Sequence, residues 1–184
     1  MAASGGLGRA TILGGGVVIF VTVGSVFPFD RLIRAMDLWA AKAGHEMMAQ
    51  IGEGRYLPQH MRYARRLSQL EFARNIAGAD LIVAHAGMGT VITAGRAGRP
   101  LVLLPRLQEA GEHTTDHQIA TANWLDGKPG ILVARSEADL PGQIAAALAG
   151  AGGPVALMEP FAEAGFTDRL RGAILGFTQT RNPR

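Results

Sequence analysis

Two periods alternate along this chain, short β-branched apolar runs and longer stretches of helical spacing. Val17 to Val23 is a β-branched and aromatic run ending at Gly24-Ser25, the form of a buried parallel strand that feeds a loop. Leu32, Ile33, Met36, Trp39 and Ala40 then recur at helical spacing, with Asp30 placed to cap the segment and Gly44 to close it. Glu46 to Ile51 returns to a short strand. Gly52 to His60 is a loop holding Tyr56 and Pro58, and Arg66-Leu67 is assigned a third, short strand. Ser68 and Glu71 have the spacing of a capping box, which predicts a helix running to Gly78. Leu81 to Ala84 is the next strand. A helix from Gly89 to Ala97 stops at Gly98 and Pro100, and Leu101 to Leu104 is a strand again. Asp116 to Leu125 is helical and Gly130 to Val133 is the last strand. Ser136 to Ala149 is a helix whose Glu137 and Asp139 suit its positive end and whose first turn tolerates Pro141.

This alternation predicts an α/β fold, a doubly wound, Rossmann-like parallel sheet covered by helices on both faces and joined by right-handed crossovers. With 184 residues, 48% of them hydrophobic, the chain suits one core rather than two. Residues 16–150 are assigned to that domain. Residues 1–15, rich in Gly and Ala, read as a flexible leader. Residues 151–184 read as a linker and C-terminal helix, with a Gly-rich break at Gly150 to Pro154 and the helix from Pro160 to Phe177.

Composition then narrows the chemistry. The chain has no cysteine, which excludes a disulfide framework, a thiolate metal site and a cysteine nucleophile. Its longest apolar stretch, Ala10 to Gly24, falls short of the roughly 20 residues of a membrane span and is broken by Gly14, Gly15 and Gly16, so a soluble chain is expected. No small-residue cleavage pattern follows it, which favours a first strand over a signal peptide. The formal charge is only +3, but nearly all the cations are Arg, and Arg55, Arg62, Arg65, Arg66 and Arg74 crowd one stretch. Arginine suits phosphate, an acidic membrane face or a partner protein, and a solvated basic face is the plain alternative. Few aromatics interleave with this stretch, so nucleic acid is not the expected partner.

Two segments carry the candidate chemistry. In Leu81 to Arg99 a strand runs through His85-Ala86-Gly87-Met88-Gly89-Thr90 into a helix. Glycines there let backbone approach a ligand, and the free N–H groups of a helix's first turn form an anion site suited to a diphosphate. Gly87 and Gly89 lack the third glycine of the dinucleotide fingerprint, and no Lys follows as in a Walker loop. In an open α/β sheet both Gly24-Ser25 and the 85–90 loop fall beyond the carboxyl ends of strands, where ligands bind. The second segment, Pro105 to Trp124, gathers Glu112, His113, Asp116, His117 and Gln118 at the same edge. Carboxylate, imidazole and amide groups together can bond the hydroxyls of a sugar. A metal site is the alternative for His113 and His117, but no third ligand is evident, so no metal is expected.

Taken together, HAGMGT after a strand, EHTTDHQ about thirty residues later, and the preceding VTVGS loop and FDRLI helix resemble the C-terminal domain of family 28 glycosyltransferases. The likeness covers Val17 to Leu148. Within that family it is nearest to free-standing members: the subunit that adds the second N-acetylglucosamine to dolichol diphosphate, and bacterial subunits, often glucuronosyltransferases, that extend lipid-linked exopolysaccharide precursors. The resemblance implies the C-terminal half of a GT-B enzyme split over two chains. This chain would bind a UDP-sugar, and a membrane-associated subunit would bind a lipid-linked saccharide acceptor at the inner, cytoplasmic face of the membrane. The donor is then a substrate and no cofactor is required. Residue by residue, Gly24 and Ser25 would line the cleft near the phosphates, and Gly87, Met88, Gly89 and Thr90 would hold the diphosphate. Leu67 and Ser68 would meet the uracil. Asp116, His117 and Gln118 would contact the sugar, with Glu112 and His113 beside them. Thr93 stands where many members carry a carboxylate for the ribose diol. His85, in the cleft, is the candidate general base. A non-catalytic, nucleotide-binding regulatory or scaffold subunit is the competing reading. A UDP-sugar epimerase shares the architecture but normally carries two such halves in one chain.

Overall fold

The predicted first strand forms as β1 (Val18–Thr22) and its side chains are buried on both faces, as a β-branched run without polar alternation requires. In the computed structural model, residues 16–153 and 162–179 are described. The predicted leader and the expected helix start at Pro160 lie outside them. After β1 come α1 (Asp30–Ala43), β2 (Glu46–Gln50), β3 (Arg62–Ala64), α2 (Gln69–Gly78) and β4 (Leu81–His85). They are followed by α3 (Met88–Arg96), β5 (Leu101–Leu104), α4 (His117–Leu125), β6 (Ile131–Val133), α5 (Leu140–Leu148) and α6 (Ala164–Gln179).

The six strands form one parallel sheet in the order β3-β2-β1-β4-β5-β6. Alternate residues of the central strands feed two cores. Ile19, Val21 and Val23 face α1 and α5 through Leu32, Ile33, Met36, Leu140 and Ile144. Phe20, Ile82 and Ala84 face α2, α3 and α4 through Ile76, Val91, Ala94, Ala122 and Leu125. The sheet is therefore sandwiched between two helical layers, as the alternating pattern predicts. Each fully buried Ile, Leu or Phe in these layers contributes on the order of 1.5–3 kcal/mol.

Four local expectations are corrected. The third strand is Arg62–Ala64, not Arg66-Leu67. This edge strand has no buried alternation of its own, and its position follows from pairing, with Met48, Ala49 and Gln50 of β2 opposite Arg62, Tyr63 and Ala64. Asp30 is the first residue of α1 rather than its cap, and its carboxylate instead accepts the amides of Arg55 and Tyr56, folding the 52–60 loop onto the helix. The α4 helix starts at His117, with Asp116 in the capping position but making no side-chain cap bond. The segment from Ser136 divides into a tight turn at Glu137–Asp139 and then α5. Asp139 accepts the Ser136 amide at 2.8 Å and the Arg135 amide at 3.0 Å, closing that turn before Pro141 enters the first turn of α5. The described side chains of α6 through Phe177 are exposed apart from Gly165. Among the described residues no helix is long and apolar enough to cross a membrane.

Candidate functional site

The chain leaves β1 toward β2 on one side and leaves β4 toward β5 on the other. The two connecting loops diverge at the carboxyl edge of the sheet, and between them lies the crevice where ligands of such sheets bind. A cleft of about 530 Å³ opens there. Gly24, Ser25, Val26 and Phe27 line it from the β1–α1 loop, and His85, Gly87, Gly89 and Thr90 from the β4–α3 turn. Arg106, His113, His117 and Gln118 line it from the region after β5, and Gln50, Leu67, Gln69 and Phe72 complete the wall. Among the described residues that line it there is no carboxylate.

His85 sits at the centre of this edge. A methyl group on Gly24, which has φ +76°, would stand 2.8 Å from His85 Cε1, and one on Gly87 would stand 2.2 Å from Nε2. The two glycines thus make room for one imidazole. Its Nδ1 is buried without a hydrogen-bond partner. Burial, and then the nearby Arg106 cation, lower its pKa from 6.5 to about 4, against an opposing contribution from the Thr22 backbone. The ring is neutral at pH 7 and a weak proton acceptor.

The N-terminus of α3 borders the cleft. Gly87 caps it without a side-chain bond, and Met88 and Gly89 occupy its first two positions, whose amides have no partner within a helix. A Cβ added at Gly89 would meet nothing within 4 Å. Thr90 is buried and lines the cleft, whereas Met88 does not line it. Thr93 turns its hydroxyl back to the Gly89 carbonyl at 2.7 Å and is not a lining residue. Leu67 reaches the cleft; Ser68 is engaged in the capping box of α2, where Glu71 accepts its amide at 2.8 Å.

The set assigned to the sugar divides. His113, His117 and Gln118 line the cleft. Glu112 and Asp116 do not, because their carboxylates hold the loop together: Glu112 binds Arg31 at 2.8 Å and 2.9 Å and accepts the Leu107 amide, and Asp116 accepts the Gln108 amide at 2.9 Å. Gln118 is buried, its Oε1 accepting the Arg106 amide at 3.2 Å. His113 Nδ1 accepts the Thr114 amide at 2.9 Å, which leaves the proton of the neutral ring on Nε2. Its ring lies 4.8 Å from Phe27 and 4.4 Å from His117, and burial, then His117, then Arg106 lower its pKa. His117 Nδ1 lies 2.8 Å from the Thr115 hydroxyl. Among the described residues no cluster of three or more His, Cys, Asp or Glu has the arrangement of a metal site.

Sequence reasoning missed Arg106, together with Gln50, Gln69, Phe72, Val26 and Phe27. For Arg106 a signal existed, since it follows Pro105 directly after a strand, at the edge where ligands bind. For Gln50 and Phe72 none did, because only the packing of β2 and α2 brings them to the cleft.

Strand order, layers and edge cleft define a Rossmann-like domain matching those that form the C-terminal half of GT-B glycosyltransferases. Residues 18–150 match the glycosyltransferase family 28 C-terminal domain, and the chain belongs to that family. Similar solved structures include the glycosyltransferase of kitacinnamycin, 19% identical with a TM-score of 0.57 over 94% of this chain and 41% of that one. The glycosyltransferase SnogD from Streptomyces nogalater is 22% identical with a TM-score of 0.57 over 82% of this chain and 40% of its own. The solution structure of ALG13 is 16% identical with a TM-score of 0.54 over 84% of this chain and 94% of its own. The chain thus spans about two fifths of the length of the first two. No curated protein sequence matches it.

Proposed function

We propose that this domain binds a UDP-sugar in the cleft between β1 and β4 and is the donor-binding, catalytic subunit of a two-component glycosyltransferase. The observation that carries the reading is the junction of a glycine-lined loop with the open N-terminus of α3 at the strand-order reversal, in a family 28 domain. Amides fixed at a helix end stabilise charge as it develops on a departing diphosphate, without rearranging during the reaction. In the proposed step an acceptor hydroxyl oxygen bonds to the anomeric carbon, the bond to the diphosphate breaks with inversion, and UDP leaves with the electron pair. The hydroxyl proton needs a base. The described residues lining the cleft include no carboxylate, burial pushes the His85 pKa down to about 4, and His113 and His117 are the other imidazoles there. With the acceptor on the second component, the base is assigned there as well; that component brings the lipid-linked saccharide and holds the complex at the inner face of the membrane. Glucuronic acid is the sugar favoured by the resemblance.

The absence of a carboxylate among the described lining residues favours a second reading, a subunit that binds nucleotide without turning it over. Coexpression with the product of the neighbouring reading frame, and assay against a panel of UDP-sugars and lipid-linked acceptors, separates the two. The expected result is UDP binding by the chain alone and transfer only by the mixture. UDP binding with no transfer in any mixture would favour the non-catalytic reading, and a folded chain that ignores UDP would overturn both.

A further inference from the structure

Arg106 is only 3% exposed, yet it lines the cleft. Its Nη2 donates to the carbonyls of Val23 at 2.7 Å and Phe27 at 2.5 Å, and its guanidinium lies 5.1 Å from the centre of the Phe29 ring. These partners are all neutral. Its Nε is buried with no partner at all. The acid that acts on it, Glu112, does so only through space, because both its oxygens are bound to Arg31. Burial lowers the Arg106 pKa to about 10, so the group remains a cation at neutral pH. Next to it His85 Nδ1 is also buried and unpartnered. A buried charge is costly unless an opposite charge meets it, and here the cleft walls supply none. An anion entering the cleft would remove that cost.

We propose that Arg106 is the charge-recognising residue of this cleft and takes an anionic oxygen of the bound donor. The identity of that donor rests on the nucleotide-sugar reading, whereas the charge of the group recognised does not. Two parts of such a donor carry this chemistry, the diphosphate and the carboxylate of a uronic acid sugar.

Calorimetric titration of the parent, Arg106→Gln and Arg106→Lys with inorganic pyrophosphate, UDP, UDP-glucose and UDP-glucuronate tests it, with uridine binding followed by NMR. Gln removes the charge, but its amide ends about where Arg106 Nε lies, so the Val23 and Phe27 carbonyls lose their Nη2 donor as well, a loss that the uridine control reads. Loss of a charge-assisted bond in a desolvated site should weaken anion binding at least about tenfold in Arg106→Gln, with part of it restored in Arg106→Lys. Uridine affinity should not change. A uniform loss for pyrophosphate, UDP and both sugars assigns the contact to the diphosphate, and a loss confined to UDP-glucuronate assigns it to the sugar carboxylate. Unchanged binding of every anion overturns the proposal, as does an equal loss for uridine and UDP, the mark of a residue that merely holds the 23–27 loop. Should Arg106→Gln not fold, the Arg106 Nε–H resonance of the ¹⁵N-labelled parent decides: a shift on adding pyrophosphate or UDP supports the contact, and an unmoved signal under saturation overturns it. A parent that binds pyrophosphate through Arg106 but not UDP retains this site and discards the nucleotide reading. A folded parent that binds neither ends both.

Discussion

One imidazole at the end of β4 dictates the composition of two loops. His85 occupies the space that a side chain on Gly24 or Gly87 would need, so both positions require glycine for a reason invisible in either loop alone. Gly87→Ala forces the ring to shift and should destabilise the fold by about 1–3 kcal/mol, the usual cost of overpacking, as read by urea denaturation. A Cβ at Gly89 meets open space, so the melting temperature of Gly89→Val should stay near the parent's. If the diphosphate sits on the α3 amides, its UDP affinity should nevertheless fall at least about tenfold through lost charge-assisted bonds. Parental affinity in a normally melting Gly89→Val places the phosphates elsewhere. The same imidazole makes stability depend on pH. Folded His85 stays neutral down to about pH 4, whereas the unfolded chain takes up the proton near the ordinary value of 6.5. The unfolded state binds more protons inside that window, so stability should fall as pH drops from 6.5 toward 4, by up to about 3 kcal/mol. His85→Gln should flatten this slope, and an unchanged slope would show that other groups set it.

At the scale of elements, the long loop after β2 is organised by one acid on α1. Asp37 is 1% exposed and accepts bonds from the Tyr56 hydroxyl at 2.7 Å, the His60 amide at 2.7 Å and the Gln59 amide at 3.0 Å. Burial opposes its charge, but the bonds from Gln59, His60 and Tyr56 outweigh it and hold its pKa below the ordinary carboxylate value. Asp37→Ala removes the shared acceptor of the half-buried Tyr56 hydroxyl and of the Gln59 and His60 amides and should cost about 1–3 kcal/mol, measured by denaturant unfolding. Hydrogen exchange should show the released amides of Gln59 and His60 opening first. The loop's second tie is Asp30, and Arg65 binds the carbonyls of Gly52 and Gly54 from the far side. Part of the Arg-rich stretch is thus engaged in structure: Arg62 pairs with Glu46 and Arg66 with Glu53. Within this basic run Arg62 and Arg66 are paired with acids and Arg65 with backbone carbonyls.

For the whole molecule, the order of strands decides where function sits, because only at the β1/β4 reversal do loops from separate halves of the sheet part to admit a ligand. If the α3 amides and Arg106 hold the diphosphate as proposed, no divalent ion is needed for its binding. UDP affinity should therefore be unaffected by a chelator such as EDTA, as measured by calorimetry. Loss of binding on chelation, restored by one specific divalent ion, would show that the diphosphate is held through a metal.

The sequence by itself determined the alternation of elements, the two-faced sheet and the glycine turns at its edge, because hydrophobic period, capping and turn chemistry are local properties. It also marked Gly24, His85 and Gly87, at or just past strand ends, and His113 and Gln118, in the polar segment that follows β5, as neighbours of one edge. Only the tertiary structure decided that β3 begins at Arg62, since an edge strand without a buried face takes its register from its neighbour. Only it separated Glu112 and Asp116 from the cleft, because a carboxylate beside a ligand and one that ties a loop to α1 are the same letter in sequence. And only it revealed Arg106 as a buried cation without a counter-ion, because that property depends on Val23, Phe27 and Phe29 of the loop between β1 and α1, far from it along the chain.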